Sequence, residues 1–271
     1  MRLFRSNLRR LSRRPATLVT YLLLSGLMLL IMLALAAAAM AGSDARSAMA
    51  SRLILTFPGA LRLTLTMVVA VGGLISLTYG AAIAGAEWSW GTLKTAVARG
   101  EARSGYVLAG IAGAIVMVWA GALVAYLAGI AGALAAASAA HVANPTLIDA
   151  QTAGDLPGLA GRAALALAMD TSIGYAVATV ARSQLAGIGA GIGLYIGEGI
   201  IGAFAPQVVR WAPFAASSAM LAGGSPEGTG AAATLAGPGL DAGTATAVVV
   251  VWLVLSAAFA ALWTERAEIG G

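Results

Sequence analysis

The 271-residue chain contains no cysteine, one histidine and one lysine, and only 10% of its residues are charged. Without cysteine there can be no disulfide, iron–sulfur cluster or Cys/His zinc site, and His141 alone cannot replace them. Ordinary soluble domains carry about 25% charged residues. A chain that is 60% hydrophobic, with a mean hydropathy of +0.89, has too little polar surface to cover a water-soluble globule. The single lysine, Lys94, lies between Leu93 and Thr95, so this sequence holds no Gly-x4-Gly-Lys-Ser/Thr phosphate loop. Any ATP hydrolysis that drives it must come from another polypeptide, and the chain itself is not expected to be an enzyme.

Long apolar runs are abundant. A helix needs about 20 apolar residues to cross about 30 Å of hydrocarbon, and six stretches qualify, at about 16–41, 61–85, 105–136, 160–181, 185–205 and 244–264. They are continuous and rich in Ala and Leu, without the alternation of a β-barrel strand. The expectation is an all-α membrane protein of six transmembrane helices, residues 16–271, preceded by an N-terminal amphipathic interfacial helix over 1–15. The first apolar run is longer than the core of a cleavable signal peptide, so "SRRPAT" and the "AMA" at 39–41 are read as parts of a retained span.

The net charge of +5 is organised in space. With the N-terminus inside, eleven Lys and Arg fall on the inner side and five on the outer. This predicts a plasma-membrane protein with both termini cytoplasmic. On a helical wheel Arg2, Arg5, Arg9 and Arg13 share a narrow sector opposite Phe4, Leu8 and Leu11. Such an elbow lies in the interface with its arginines towards anionic head groups, and Pro15 marks the bend into the first span. Membrane lipids are therefore expected partners. Nucleic acid is not, because the membrane would occupy the basic face.

The one long inner connection, 86–104, reads "AEWSWGTLKTAVARGEARS". Glu87 ends the second span, Gly91-Thr92 caps a short helix starting near Leu93, and Arg99-Gly100 closes it. Leu93, Ala96 and Val97 form an apolar stripe flanked by Lys94 and Arg99. Either this is an interfacial loop with Trp88 and Trp90 at head-group depth, or it is a docking helix for a cytoplasmic partner.

The segment "GAEWSWGTLKTAVARGEARSGYVLAG" resembles the second cytoplasmic segment of type-2 ABC transporter permeases, the membrane subunits of ATP-driven exporters. The matching positions are Glu87, Gly91, Thr92, Leu93, Lys94, Arg99 and Arg103. The similarity extends to the layout of the whole chain: an elbow, six spans and a long outer segment before the sixth. It implies that 86–104 is a coupling helix seated in a groove of a separate ATPase subunit, with ATP and Mg bound there and no cofactor on this chain. It implies also that two permease copies pair, their first, second and fifth spans bordering the path. One departure is Gly110, where the family often has lysine early in span three.

Two carboxylates fall inside spans. Asp170 lies twelve residues from Arg182, near mid-membrane, and Glu198 fourteen past Gln184, in the outer half. A carboxylate there is costly and a functional candidate. Both are candidates for lining a translocation path, or for a proton relay in a secondary transporter; the plainer reading is a protonated or hydrogen-bonded packing group, with Thr171, Ser172 or Tyr175 as partners. Span five carries Gly187, Gly189, Gly191, Gly193 and Gly197, in small-xxx-small spacings that suit either packing within the chain or a dimer seam. The segment 206–243 is too short for a core of its own, and Pro206 and Pro213 suggest a re-entrant lid. His141, near Asp149 and Asp155, reads as a solvated loop residue rather than part of a Ser-His-Asp set. A non-transporting scaffold for a cytoplasmic partner completes the alternatives.

Overall fold

Hydrocarbon offers a backbone no hydrogen-bond partner, so a spanning chain must satisfy its own N–H and C=O groups, and a helix does this locally. The computed structural model describes residues 2–41, 45–144, 146–222 and 240–267, all in helices or short connections. The elements are α1 (Arg2–Ser12), α2 (Pro15–Met40), α3 (Ala45–Ile54), α4 (Gly59–Ser89), α5 (Thr92–Ala98) and α6 (Arg103–Ala139). They continue as α7 (Ala150–Ala181), α8 (Gln184–Phe204), α9 (Pro206–Val209), α10 (Pro213–Leu221) and α11 (Ala242–Arg266). Among the described residues six helices, α2, α4, α6, α7, α8 and α11, are long and apolar enough to cross a membrane. The protein is a multi-pass, all-α membrane protein.

Two boundaries and one connection differ from the sequence reading. α7 starts at Ala150 rather than near 160, because Asp149 Oδ1 accepts the Thr152 N–H at 2.7 Å and caps a polar first stretch that an apolar window overlooks. α4 runs on to Ser89 rather than to about 85, so that Glu87 closes the span from within its last turn. The connection after α2 forms a helix, α3, that the sequence reading does not predict, and the segment after span five begins with two short helices, α9 and α10. The rest of the proposed lid, 223–239, lies outside the described residues.

The chain divides into two compact units. One comprises Leu18–Gly72 and Ala120–Ala163. Its core joins Met32, Phe57, Ala60, Leu61 and Ala133, with a second cluster of Ala36, Ala39, Leu55, Ala136, Ala137 and Ala140. Asn144 Oδ1 accepts the Phe57 N–H at 2.9 Å, and Arg62 is ion-paired with Asp155.

The other unit comprises Met1–Thr17, Gly73–Trp119 and Ala164–Gly271. Here α4 and α7 touch backbone to backbone. A Cβ on Gly80 would stand 2.1 Å from the Thr171 carbonyl oxygen, and one on Gly174 would stand 1.9 Å from that of Leu77. Without a hydrophobic drive between helices in lipid, such close approach supplies the attraction. α7 is the most enclosed of the spans, with 78% of its apolar window buried, against 11% for α8. Ser256 Oγ donates to Ser172 Oγ at 2.8 Å and ties α11 to α7.

Candidate functional site

The elbow helix α1 presents three sides. Arg5, Arg9 and Arg13 are exposed, Phe4 and Leu8 are half-buried, and Leu11 is fully enclosed. Asn7, Arg10 and Arg14, which lie off the exposed sector of the wheel, turn inward on a shared stripe. Arg10 and Arg14 converge on Glu87, which is only 3% exposed, while Asn7 donates to the Ala109 carbonyl at 2.8 Å and accepts from Arg10 Nη2 at 2.7 Å. Arg10 grips the carboxylate with both amino groups, Nη2 to Oε1 at 2.6 Å and Nη1 to Oε2 at 3.2 Å. Arg14 Nη2 adds a third contact to Oε1 at 3.1 Å. Tyr106 of α6 donates its hydroxyl to Glu87 Oε2 and accepts from Arg10 Nη1 at 3.0 Å. Burial works against the charge on Arg10, but the Glu87 carboxylate and Tyr106 outweigh it and hold the guanidinium above its ordinary pKa.

The same carboxylate fixes α5. Gly91 turns the chain with φ +65°, a left-handed conformation suited to glycine. The Thr92 hydroxyl then donates back to Glu87 Oε2 at 2.5 Å. Leu93 is buried at 3% exposure, and Gly100, at φ +85°, ends the element. What α5 presents outward is Lys94, Thr95, Ala98 and Arg99. The seven positions of the sequence motif therefore divide by contact. Glu87, Gly91, Thr92 and Leu93 hold the helix on the bundle, whereas Lys94 and Arg99 are exposed, Arg99 on the side that looks toward α1. Arg103 reaches the end of α11, donating to the Ala267 and Glu265 carbonyls at 3.0 and 3.3 Å. Of the two tryptophans, Trp90 lies under Arg14 and Trp88 under Arg182, each guanidinium carbon 5.1 Å from the ring centre. Gly110, the departure from the family pattern, leaves room for Tyr175: a Cβ there would be 2.5 Å from the tyrosine hydroxyl.

The two intramembrane carboxylates have different surroundings. Glu198, 8% exposed, accepts the Phe214 and Ala215 N–H groups at 3.3 and 2.5 Å. It thus caps the first turn of α10 from a neighbouring helix, beside an edge-on contact of Tyr195 with Phe214 at 4.8 Å. Asp170, 2% exposed, has an Oδ1 with no hydrogen-bond partner, and the buried Ser76 Oγ likewise has none. Thr171 and Ser172 bond elsewhere, to Leu167 O and Ser256. Across from Asp170, a Cβ on Gly73 would meet its Oδ2 at 2.9 Å.

The glycines of α8 also separate. Gly187 packs against Ala178 and Gly191 against Leu77 within the chain, while Gly189, Gly193 and Gly197 meet nothing within 4 Å. His141 is exposed, Asp149 caps α7 and Asp155 is paired with Arg62, so those residues do not assemble a triad.

Arg10, Arg14, Asn7 and Tyr106 were missing from the sequence reading of the site. The available signal was the wheel position of Arg10 and Arg14, between the exposed and the apolar sectors, beside a lone glutamate at a span end. Comparison with protein-family models, with curated proteins and with solved structures gives no match.

Proposed function

We propose that this chain is the permease subunit of an ABC exporter, moving its substrate outward by alternating access driven by a separate ATPase subunit. The observation that supports this best is α5. A short helix with Lys94 and Arg99 exposed is braced by a buried ionic cluster that links it to α1, α4 and α6. A loop that merely joins two spans needs no such bracing, whereas a helix that must transmit a push does, because it has to move as one body with the bundle. In this reading ATP and Mg are held by the ATPase, both termini are cytoplasmic, and two copies of the permease pair through the open side of α8.

The test is co-expression with candidate P-loop ATPase subunits followed by purification through the permease. A stable complex is expected, and Lys94→Glu or Arg99→Glu is expected to weaken it about tenfold each, as for loss of a charge-assisted contact. Leu93→Asp is a poorer probe, since Leu93 is buried and its loss would dislodge α5 itself. If the wild-type chain never retains an ATPase, the exporter reading fails.

One observation favours a second reading. Asp170 carries a buried carboxyl oxygen without a partner, the kind of group a proton-coupled secondary transporter requires. That reading predicts transport without ATP, abolished in Asp170→Asn.

A further inference from the structure

Between α1, α5 and α6 lies an open crevice of about 340 Å³, whose lining includes Ser6, Asn7, Arg10, Thr95, Arg99 and Tyr106. We propose that this crevice binds the phosphate of an anionic phospholipid, a lipid seated between the elbow helix and α5. The inference does not depend on the exporter reading.

Charge comes first. Arg10 and Arg14 against Glu87 leave one positive charge beside the crevice, and Arg99 adds another from the opposite wall. Among the described residues no carboxylate lines the crevice, and Glu87 behind Arg10 is already held by two guanidinium groups. Donors come next. Arg10 spends both amino groups on Glu87, Tyr106 and Asn7, so it contributes field rather than new bonds. Arg99 is exposed and supplies the planar fork that suits a phosphate. The Thr95 hydroxyl, on a long 3.2 Å bond to Gly91 O, can turn to join it.

Depth selects the source of the phosphate. α1 is joined to the start of the spanning helix α2, and α5 joins the end of α4 to the start of α6. The crevice is therefore at head-group level whichever side of the membrane this end faces. The exposed Arg5, Arg9 and Arg13 on the far side of α1 attract anionic lipid diffusely; the crevice adds a built site. A zwitterionic head group would bring an ammonium against Arg10 and Arg99, so the site discriminates by charge. The volume exceeds what one phosphate fills and leaves room for the glycerol ester.

The experiment is native mass spectrometry of the purified full chain in detergent, titrated with phosphatidylglycerol, with phosphatidylcholine, and with glycerol 3-phosphate as a free competitor. One tightly retained phosphatidylglycerol per chain is expected, with Arg99→Gln lowering its affinity about tenfold, Arg99→Lys, which keeps the charge but loses the planar fork, falling between Arg99→Gln and wild type, and Arg5→Gln changing it less than about twofold, as a diffuse surface charge should. Thermal unfolding of Arg99→Gln, matching wild type, separates lost binding from lost fold. Equal losses in Arg99→Gln and Arg5→Gln would overturn the proposal in favour of non-specific attraction. Equal retention of phosphatidylcholine would overturn the charge argument, and full displacement by glycerol 3-phosphate at matched concentration would make the crevice a free-anion site instead.

Discussion

At the scale of single residues the pivot is Glu87. Its side chain is 4% exposed, and it faces one guanidinium 10% exposed and another 33% exposed. Removing one member of a buried ion pair strands the charge of the other, a loss of about 3 kcal/mol or more when both are enclosed. Here two cations would be stranded, although Arg10 can turn partly to solvent. Glu87→Ala is therefore expected to lower the apparent melting temperature in detergent far more than Arg5→Gln, which removes a charge from the exposed side of the same elbow. Equal effects would mean that the cluster is dispensable and that α5 is held by Leu93 alone. The cluster was not legible from spacing, because Arg10 and Glu87 are 77 positions apart and hydropathy carries no information on which charges meet. What the sequence did reveal was that a lone glutamate closes an apolar run, a place where a partner has to be found. Gly110 is a similar case: only the position of Tyr175 on α7 explains why a side chain is absent from α6 there.

At the scale of elements, helix identity was readable and helix ends were not. All six apolar runs form helices long enough to cross a membrane, because twenty hydrophobic residues in sequence leave the backbone no other solution in lipid. α3 and the first ten residues of α7 are not legible in hydropathy because their residues are mixed, and capping and packing decide them instead. α8 and α10 show why a carboxylate inside a span need not touch substrate. Glu198 supplies acceptors to the two N–H groups at the start of α10, and helix starts that lose a side-chain cap are weakened by about 1 kcal/mol. Glu198→Gln keeps one carbonyl acceptor and is expected to preserve most of this, whereas Glu198→Ala is expected to release α10. Hydrogen exchange of the 213–221 amides reads the difference: faster exchange in Glu198→Ala by about fivefold, at ~1 kcal/mol, with Glu198→Gln close to wild type. If both variants exchange like wild type while transport is lost in each, Glu198 acts on substrate and its capping role is incidental.

At the scale of the whole molecule, α8 is the span least covered by the chain itself, with 11% of its apolar window buried. Exposed apolar side chains alone would describe any lipid-facing helix, and Ile196, Ile200 and Phe204 are of that kind. Gly189, Gly193 and Gly197 are not, since glycine on a lipid face gives up both side-chain contact with the acyl chains and helix propensity. Glycines at four-residue spacing recover that loss when a second helix packs on them closely, and the complementary stripe, Gly187 and Gly191, already does this within the chain. A second copy placing its α8 against this one would complete the pattern by symmetry. The absence of cysteine makes the test clean, because any introduced thiol is the only one present. Gly189→Cys is expected to form a disulfide-linked dimer on mild oxidation in bilayers, while Val254→Cys, on the exposed side of α11, is expected to remain monomeric. Gly193→Leu, which meets open space within one chain, should fold normally and weaken dimerisation about tenfold, ~1.4 kcal/mol. Gly187→Leu should instead destabilise the single chain, because its Cβ would press to 2.7 Å on the Ala178 Cα. Cross-linking at Val254→Cys as strong as at Gly189→Cys would show random collision and remove α8 as the seam, and an unaltered dimer in Gly193→Leu would do the same.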